Sequence, residues 1–113
     1  MNIAIDAERA VLGAILLNPG TSIPEIQKHL SADSSVWFYD PKHNPIFNTC
    51  VAMWNAGTPI DPITLDAELQ RGAEYELIQD AGGIGYLSGL SSDVPTSASA
   101  AHYAEIVAEA HRK

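Results

Sequence analysis

Asp6-Ala7-Glu8-Arg9-Ala10-Val11-Leu12-Gly13-Ala14-Ile15-Leu16-Leu17 is the stretch whose reading decides the fold. Asp6 is a good N-cap residue, and from Ala7 to Leu17 apolar positions recur at helical spacing. Ala7, Val11, Ala14 and Ile15 share one face, while Leu12, Leu16 and Leu17 carry apolar surface around the cylinder. A helix apolar on most sides belongs in the centre of a protein. Gly13 costs such a helix about 1 kcal/mol in propensity, so its presence points to close approach by a neighbouring helix. Asn18-Pro19-Gly20 ends the segment.

Outward from this helix the punctuation repeats. Ser22-Ile23-Pro24-Glu25 reads as a capping box with proline in the first turn, opening a helix to about Leu30 with Ile26 and Leu30 facing inward. Ser31 to Ser35 is polar and turn-like, and Val36-Trp37-Phe38-Tyr39 is an apolar cluster too short for a helix and without a strand partner. Asp40-Pro41 and Asn44-Pro45 compete to start the third helix; Pro45 would break a hydrogen bond of the earlier start, which favours Asn44 as the cap. Ile46, Phe47, Cys50, Val51 and Trp54 follow at helical spacing up to Gly57, a left-handed C-cap. On that stripe Trp54 belongs to the core, and its replacement by alanine is expected to cost ~3–5 kcal/mol.

Asp61-Pro62 starts a fourth helix that carries Leu65 and Leu69 up to Gly72. Two short helical turns follow, one with Tyr75, Leu77, Ile78 and Ala81, the other with Tyr86, Leu87 and Leu90, separated by Gly82-Gly83. After Val94-Pro95 a final helix begins near Thr96 or Ser97 with the stripe Tyr103, Ile106, Val107 and Ala110. No period-two strand pattern is present. The expectation is a single all-α domain across residues 1–113, a compact bundle of about six helices.

Charge and motifs bound what this bundle does. The 113 residues carry a net charge of −8, with only six basic residues. These are scattered as Arg9, Lys28, Lys42, Arg71, Arg112 and Lys113, which argues against direct nucleic-acid binding by this chain. From Asp61 to Asp80 the acidic residues Asp66, Glu68, Glu74 and Glu76 face Arg71 alone. That stretch reads either as a solvated helical surface or as a docking face for a basic partner, with Asp66 and Glu68 as candidate contacts. There is no phosphate loop, and no strand precedes Gly82-Gly83-Ile84-Gly85 as a dinucleotide site would require. The histidines at 29, 43, 102 and 111 lack metal-ligand spacing, and Cys50 has no second cysteine. Cys50 reads as a small core residue and His43 as a structural hydrogen-bonder. Asp66 and Glu68, two apart on a helix, do not converge on one substrate. No catalytic residue, metal or cofactor is therefore expected, and no enzyme from this chain alone. Without a membrane-length apolar run or a signal peptide, and with one cysteine, the expected place is the cytoplasm.

Taken in order, several segments resemble the N-terminal domain of DnaB-type replicative DNA helicases. They are Asp6 to Ala14, Phe38-Tyr39 followed by His43-Asn44-Pro45-Ile46-Phe47, and Pro59-Ile60-Asp61-Pro62-Ile63-Thr64-Leu65. Gly82 to Leu87, Val94-Pro95-Thr96 and Tyr103-Ala104-Glu105-Ile106-Val107 complete the series. Residues 31–37 and 70–81 run a few residues longer than the family pattern, and Pro45 and Pro62 depart from it, which suggests a divergent, phage-like branch.

The resemblance implies a domain that pairs, forms the N-terminal collar of a hexameric helicase and docks primase or a helicase loader. The ATP- and DNA-binding motor would lie in a C-terminal domain absent from this chain. It also implies that the last helix is the first arm of a pairing hairpin, cut at Lys113, which makes Tyr103, Ile106, Val107 and Ala110 candidate interface residues. The alternative is a free-standing decoy or adaptor, of a phage type, that binds the host primase or helicase loader; Met1 and the length of 113 residues keep it open.

The purified chain should neither hydrolyse ATP nor bind single-stranded DNA at physiological salt. Phosphate-release and fluorescence-anisotropy assays check this, and steeply salt-dependent DNA binding would contradict it.

Overall fold

The computed structural model describes residues 3–30, 37–94 and 96–111. The expected turn at Ser31 to Ser35, Val36 and Pro95 lie outside the described residues, as do Arg112 and Lys113. Seven helices and no strand occur among those described: α1 (Ile3–Leu17), α2 (Pro19–Gln27), α3 (His43–Asn55), α4 (Pro62–Gln70), α5 (Tyr75–Ala81), α6 (Ile84–Ser92) and α7 (Ala100–His111). The fold is all-α as expected, with one helix more than the approximate count of six.

α1 runs through the middle and packs on α2, α3, α6 and α7. Val11, Leu12, Ala14 and Ile15 are wholly buried. A β-carbon on Gly13 would stand 2.2 Å from the Leu90 carbonyl oxygen and 2.4 Å from Val94 Cγ2. Only glycine lets the end of α6 press so closely on α1. The helix starts at Ile3, so Asp6 is an exposed first-turn residue and not the cap. Ile3-Ala4-Ile5 contains no breaker, and an acidic residue in the first turn still suits the helix dipole.

The second helix corrects the expected capping box. Asn18 both ends α1 and caps α2, its side chain accepting the Thr21 N–H at 3.4 Å, with Pro19 in the first helical position. Ser22 lies buried inside the helix, where its hydroxyl donates to the Ala14 carbonyl at 2.9 Å. Pro24 is tolerated inside α2, on its exposed side. The helix starts at Pro19 because Ser22, the expected cap, is engaged by α1 itself.

α3 likewise begins one residue before Asn44, with Lys42 at the cap position. Asn44 instead braces the preceding loop: it accepts the Phe38 N–H and donates to the Phe38 carbonyl, both at 3.1 Å. At the other end the Thr58 N–H bonds the Met53 carbonyl and the Gly57 N–H bonds the Trp54 carbonyl, a Schellman closure with Gly57 at φ 73°. Trp54 is not in the core. It is 38% exposed, while Met53, Cys50, Val51, Ile46 and Phe47 are buried. The stripe drifts toward Met53, three residues from Cys50, and Trp54 is left at its border beside Gly20.

α4 has the expected start, with Asp61 Oδ1 accepting the Thr64 N–H at 2.8 Å and Thr64 Oγ1 accepting the Asp61 N–H at 2.9 Å. Gly82-Gly83 turns the chain between α5 and α6. α7 starts at Ala100, later than Thr96 or Ser97. The Thr96 hydroxyl accepts the Ala98 N–H at 3.1 Å and the Ser97 carbonyl accepts the Ala100 N–H at 3.1 Å, a turn that precedes the helix.

Three stability effects follow, each measured by urea denaturation. Gly13→Ala should destabilise by ~1–3 kcal/mol or more despite alanine's better propensity, because the obstacle is backbone. Asp61→Ala should cost about 1 kcal/mol through the lost cap. Trp54→Ala should cost less than the ~3–5 kcal/mol of a fully buried aromatic.

Candidate protein-interaction site

One acidic residue of α1 faces inward. Glu8 is 1% exposed, and its carboxylate accepts the Tyr39 N–H at 2.5 Å and the Asp40 N–H at 3.2 Å. His43 Nδ1, at the start of α3, lies 2.8 Å from Glu8 Oε1, and His43 Nε2 lies 2.5 Å from the Tyr86 hydroxyl on α6. The carboxylate assigns one role, Nδ1–H donating to Glu8, and leaves Nε2 to meet the Tyr86 hydroxyl. Burial first, then the negative charges of Asp40 and Glu8, push the Tyr86 phenol up to about 12 against the pull of Arg9. Arg9 lies 5.6 Å from the centre of the Tyr86 ring and Lys42 5.3 Å from it, while Arg9 also pairs with Asp93 at 2.6 Å. The Tyr39 hydroxyl donates to the Ala110 carbonyl at 3.0 Å, tying the loop to the end of α7. His43 is thus enclosed and spent on fixing α1, α3, α6 and the 37–42 loop. Cys50 is a core residue whose thiol burial pushes up to about 12, away from a reactive thiolate.

The residues expected at an interface divide between two faces, because α7 packs on α1 and α2 and α4 packs on α3 and α6. On α7 the inner face is Ala100, Ala104, Val107 and Ala108. Val107 is therefore a core residue at 1% exposure, Tyr103 packs partly against the core, and Ala110 is half-buried. Ile106 points outward at 41% exposure. On α4, Asp66 is turned inward, accepting the Tyr75 O–H at 2.8 Å and the Gln70 Nε2–H at 2.9 Å. Glu68 remains at the surface, 3.5 Å from Arg71. Ile63, at 70% exposure, is an apolar surface residue that helical spacing did not single out. Among the described residues no three His, Cys, Asp or Glu side chains gather as metal ligands, and no helix is long and apolar enough to cross a membrane.

This helical body with α1 at its centre has known counterparts. The family model described as the DnaB-like helicase N terminal domain matches residues 1–109. The chain belongs to that family. It is 39% identical over 106 residues to the replicative DNA helicase DnaB of Geobacillus stearothermophilus, covering 94% of this chain and 22% of that protein. It is 38% identical over 105 residues to the replicative DNA helicase DnaC of Bacillus subtilis strain 168, covering 93% of this chain and 22% of the relative. The chain thus spans about a fifth of the length of these relatives. The crystal structure of the N-terminal domain of DnaB helicase from Mycobacterium tuberculosis superposes with a TM-score of 0.81 at 36% identity, over 99% of this chain and 74% of that one.

Glu8→Ala would leave two backbone N–H groups and a histidine donor facing an apolar core, and should cost about 3–5 kcal/mol in urea denaturation. Tyr86 holds its proton more tightly folded, at about 12, than at its ordinary 10.0. Its stabilisation is therefore present below about pH 10 and lost as the pH rises toward about 12. Alkaline denaturation should show a shallower decline for Tyr86→Phe than for the unmodified chain.

Proposed function

We propose that this chain is the collar-forming part of a replicative DNA helicase, which self-associates within a hexamer and docks primase or a helicase loader in the cytoplasm. The parent protein would be an ATP-dependent helicase whose motor lies in a further domain. The family match over residues 1–109 carries this reading. The outward Ile106 supports it, since the inner face of α7 already holds the helix on the body and leaves the outer face for another protein. In this reading Tyr103 and Ala110 border the α7 contact, and Glu68 marks a second face, on α4, with Asp66 shaping it from beneath. Val107 acts only by seating the helix.

Stable protein interfaces usually bury at least ~1,200 Å², which the outer face of one short helix does not supply. Residues 1–113 should therefore sediment as a monomer or weak dimer, and the full-length parent as a ring. Ile106→Asp in the parent should weaken both ring assembly and primase binding while leaving the circular dichroism of residues 1–113 unchanged. A tight dimer from residues 1–113 that is indifferent to Ile106→Asp would place the pairing surface elsewhere. Tight primase binding by the isolated 1–113 chain would favour a free-standing adaptor.

A further inference from the structure

We propose that the cleft between α3, α4 and the turn into α5 seats an apolar segment of a protein partner flanked by lysine or arginine. The cleft holds about 530 Å³ and is open to solvent along one side. Its floor is apolar: Met53 and Leu69 are buried beneath it, and Ala52 on α3 is a small, exposed wall residue that keeps it open. The opposite wall is held in place, because the Tyr75 hydroxyl donates to the buried Asp66 at 2.8 Å and Asp66 is held in turn by Gln70. A recess of this size with a fixed apolar floor admits a few side chains of an inserted peptide.

Charge selects the occupant. Glu68 and Glu74 line the cleft. Arg71 is the one cation in this stretch, and it is 81% exposed beside Glu68. Such a rim attracts basic residues and repels nucleic acid. A second copy of the chain fits poorly. Its net charge is −8, and all four basic side chains among the described residues, Arg9, Lys28, Lys42 and Arg71, are already paired with acids of their own molecule. This site is distinct from the face of α7. This inference rests on the reading of the chain as a protein-docking domain, yet it requires neither ring assembly nor primase.

Selection of a random peptide library, displayed on phage, against residues 1–113 tests it. Enriched peptides should carry an apolar anchor beside lysine or arginine. Synthetic versions should bind at least about tenfold more weakly to Ala52→Trp, which fills the cleft from its exposed wall, and to Glu68→Lys/Glu74→Lys, which reverses the rim. Binding should also weaken as salt is raised. Both variants should keep the helical circular dichroism of the unmodified chain, and if one does not fold the other decides. Absence of enrichment, enrichment of acidic or uncharged peptides, or indifference to the variant that folds would overturn the proposal. Self-association that Ala52→Trp abolishes would overturn it too, by making a second copy the occupant. None of these outcomes depends on how Ile106→Asp behaves in the parent helicase.

Discussion

A carboxylate buried in an apolar helix must be met by donors, and Glu8 imposes that condition on the rest of this fold. Its partners come from three directions: the backbone of the 37–42 loop, the His43 ring that opens α3 and, through that ring, Tyr86 on α6. An uncompensated charge at this depth would cost several kcal/mol, so the loop cannot leave without exposing or stranding Glu8. The apolar contacts around α1 supply most of the driving force for folding, but they are tolerant of sliding. The hydrogen-bonded carboxylate is not, and it sets the register in which α3 and α6 meet α1. Five residues later Gly13 adds a steric condition on the same helix, since Leu90 and Val94 occupy the space of a side chain.

Much of the fold was legible because its signals are local. The apolar run from Val11 to Leu16, the Asp61-Pro62 start and the Gly57 stop each state a helix or its end without reference to distant residues. Sequence and structure part where one residue type serves two purposes. Asn44 and Ser22 are good caps in isolation, but each is used for a tertiary hydrogen bond, to Phe38 and to Ala14. Trp54 and Met53 both fit the periodicity of α3; Met53 is buried on the side where α4 packs, with Leu69, while Trp54 is left beside Gly20 of α2.

The faces proposed for interaction were legible in part, for the same reason. The sequence marks the last helix and the acidic stretch as candidate faces, but which residues lie on them depends on the phase of each helix against the body. Val107 turned inward while its neighbour Ile106 did not, and Asp66 turned inward while Glu68 did not. A shift of one residue turns a helical side chain by about 100°, which is the whole difference between core and contact. The Glu8–His43–Tyr86 chain left a fainter trace: the second of two acids in α1, set among apolar residues, and one histidine ahead of the Ile46-Phe47 pair. Pairing them requires the tertiary fold.

Amide hydrogen exchange at Tyr39 and Asp40 tests most directly whether Glu8 organises the structure. Both amides lie in a loop outside any helix, where exchange is ordinarily fast. If they are bound to Glu8 as described, they should exchange only on global unfolding, with protection comparable to the α1 core amides of Leu12 and Ile15. Exchange at the rate of an unstructured loop, while Leu12 and Ile15 stay protected, would show that Glu8 does not hold the loop and would contradict its organising role.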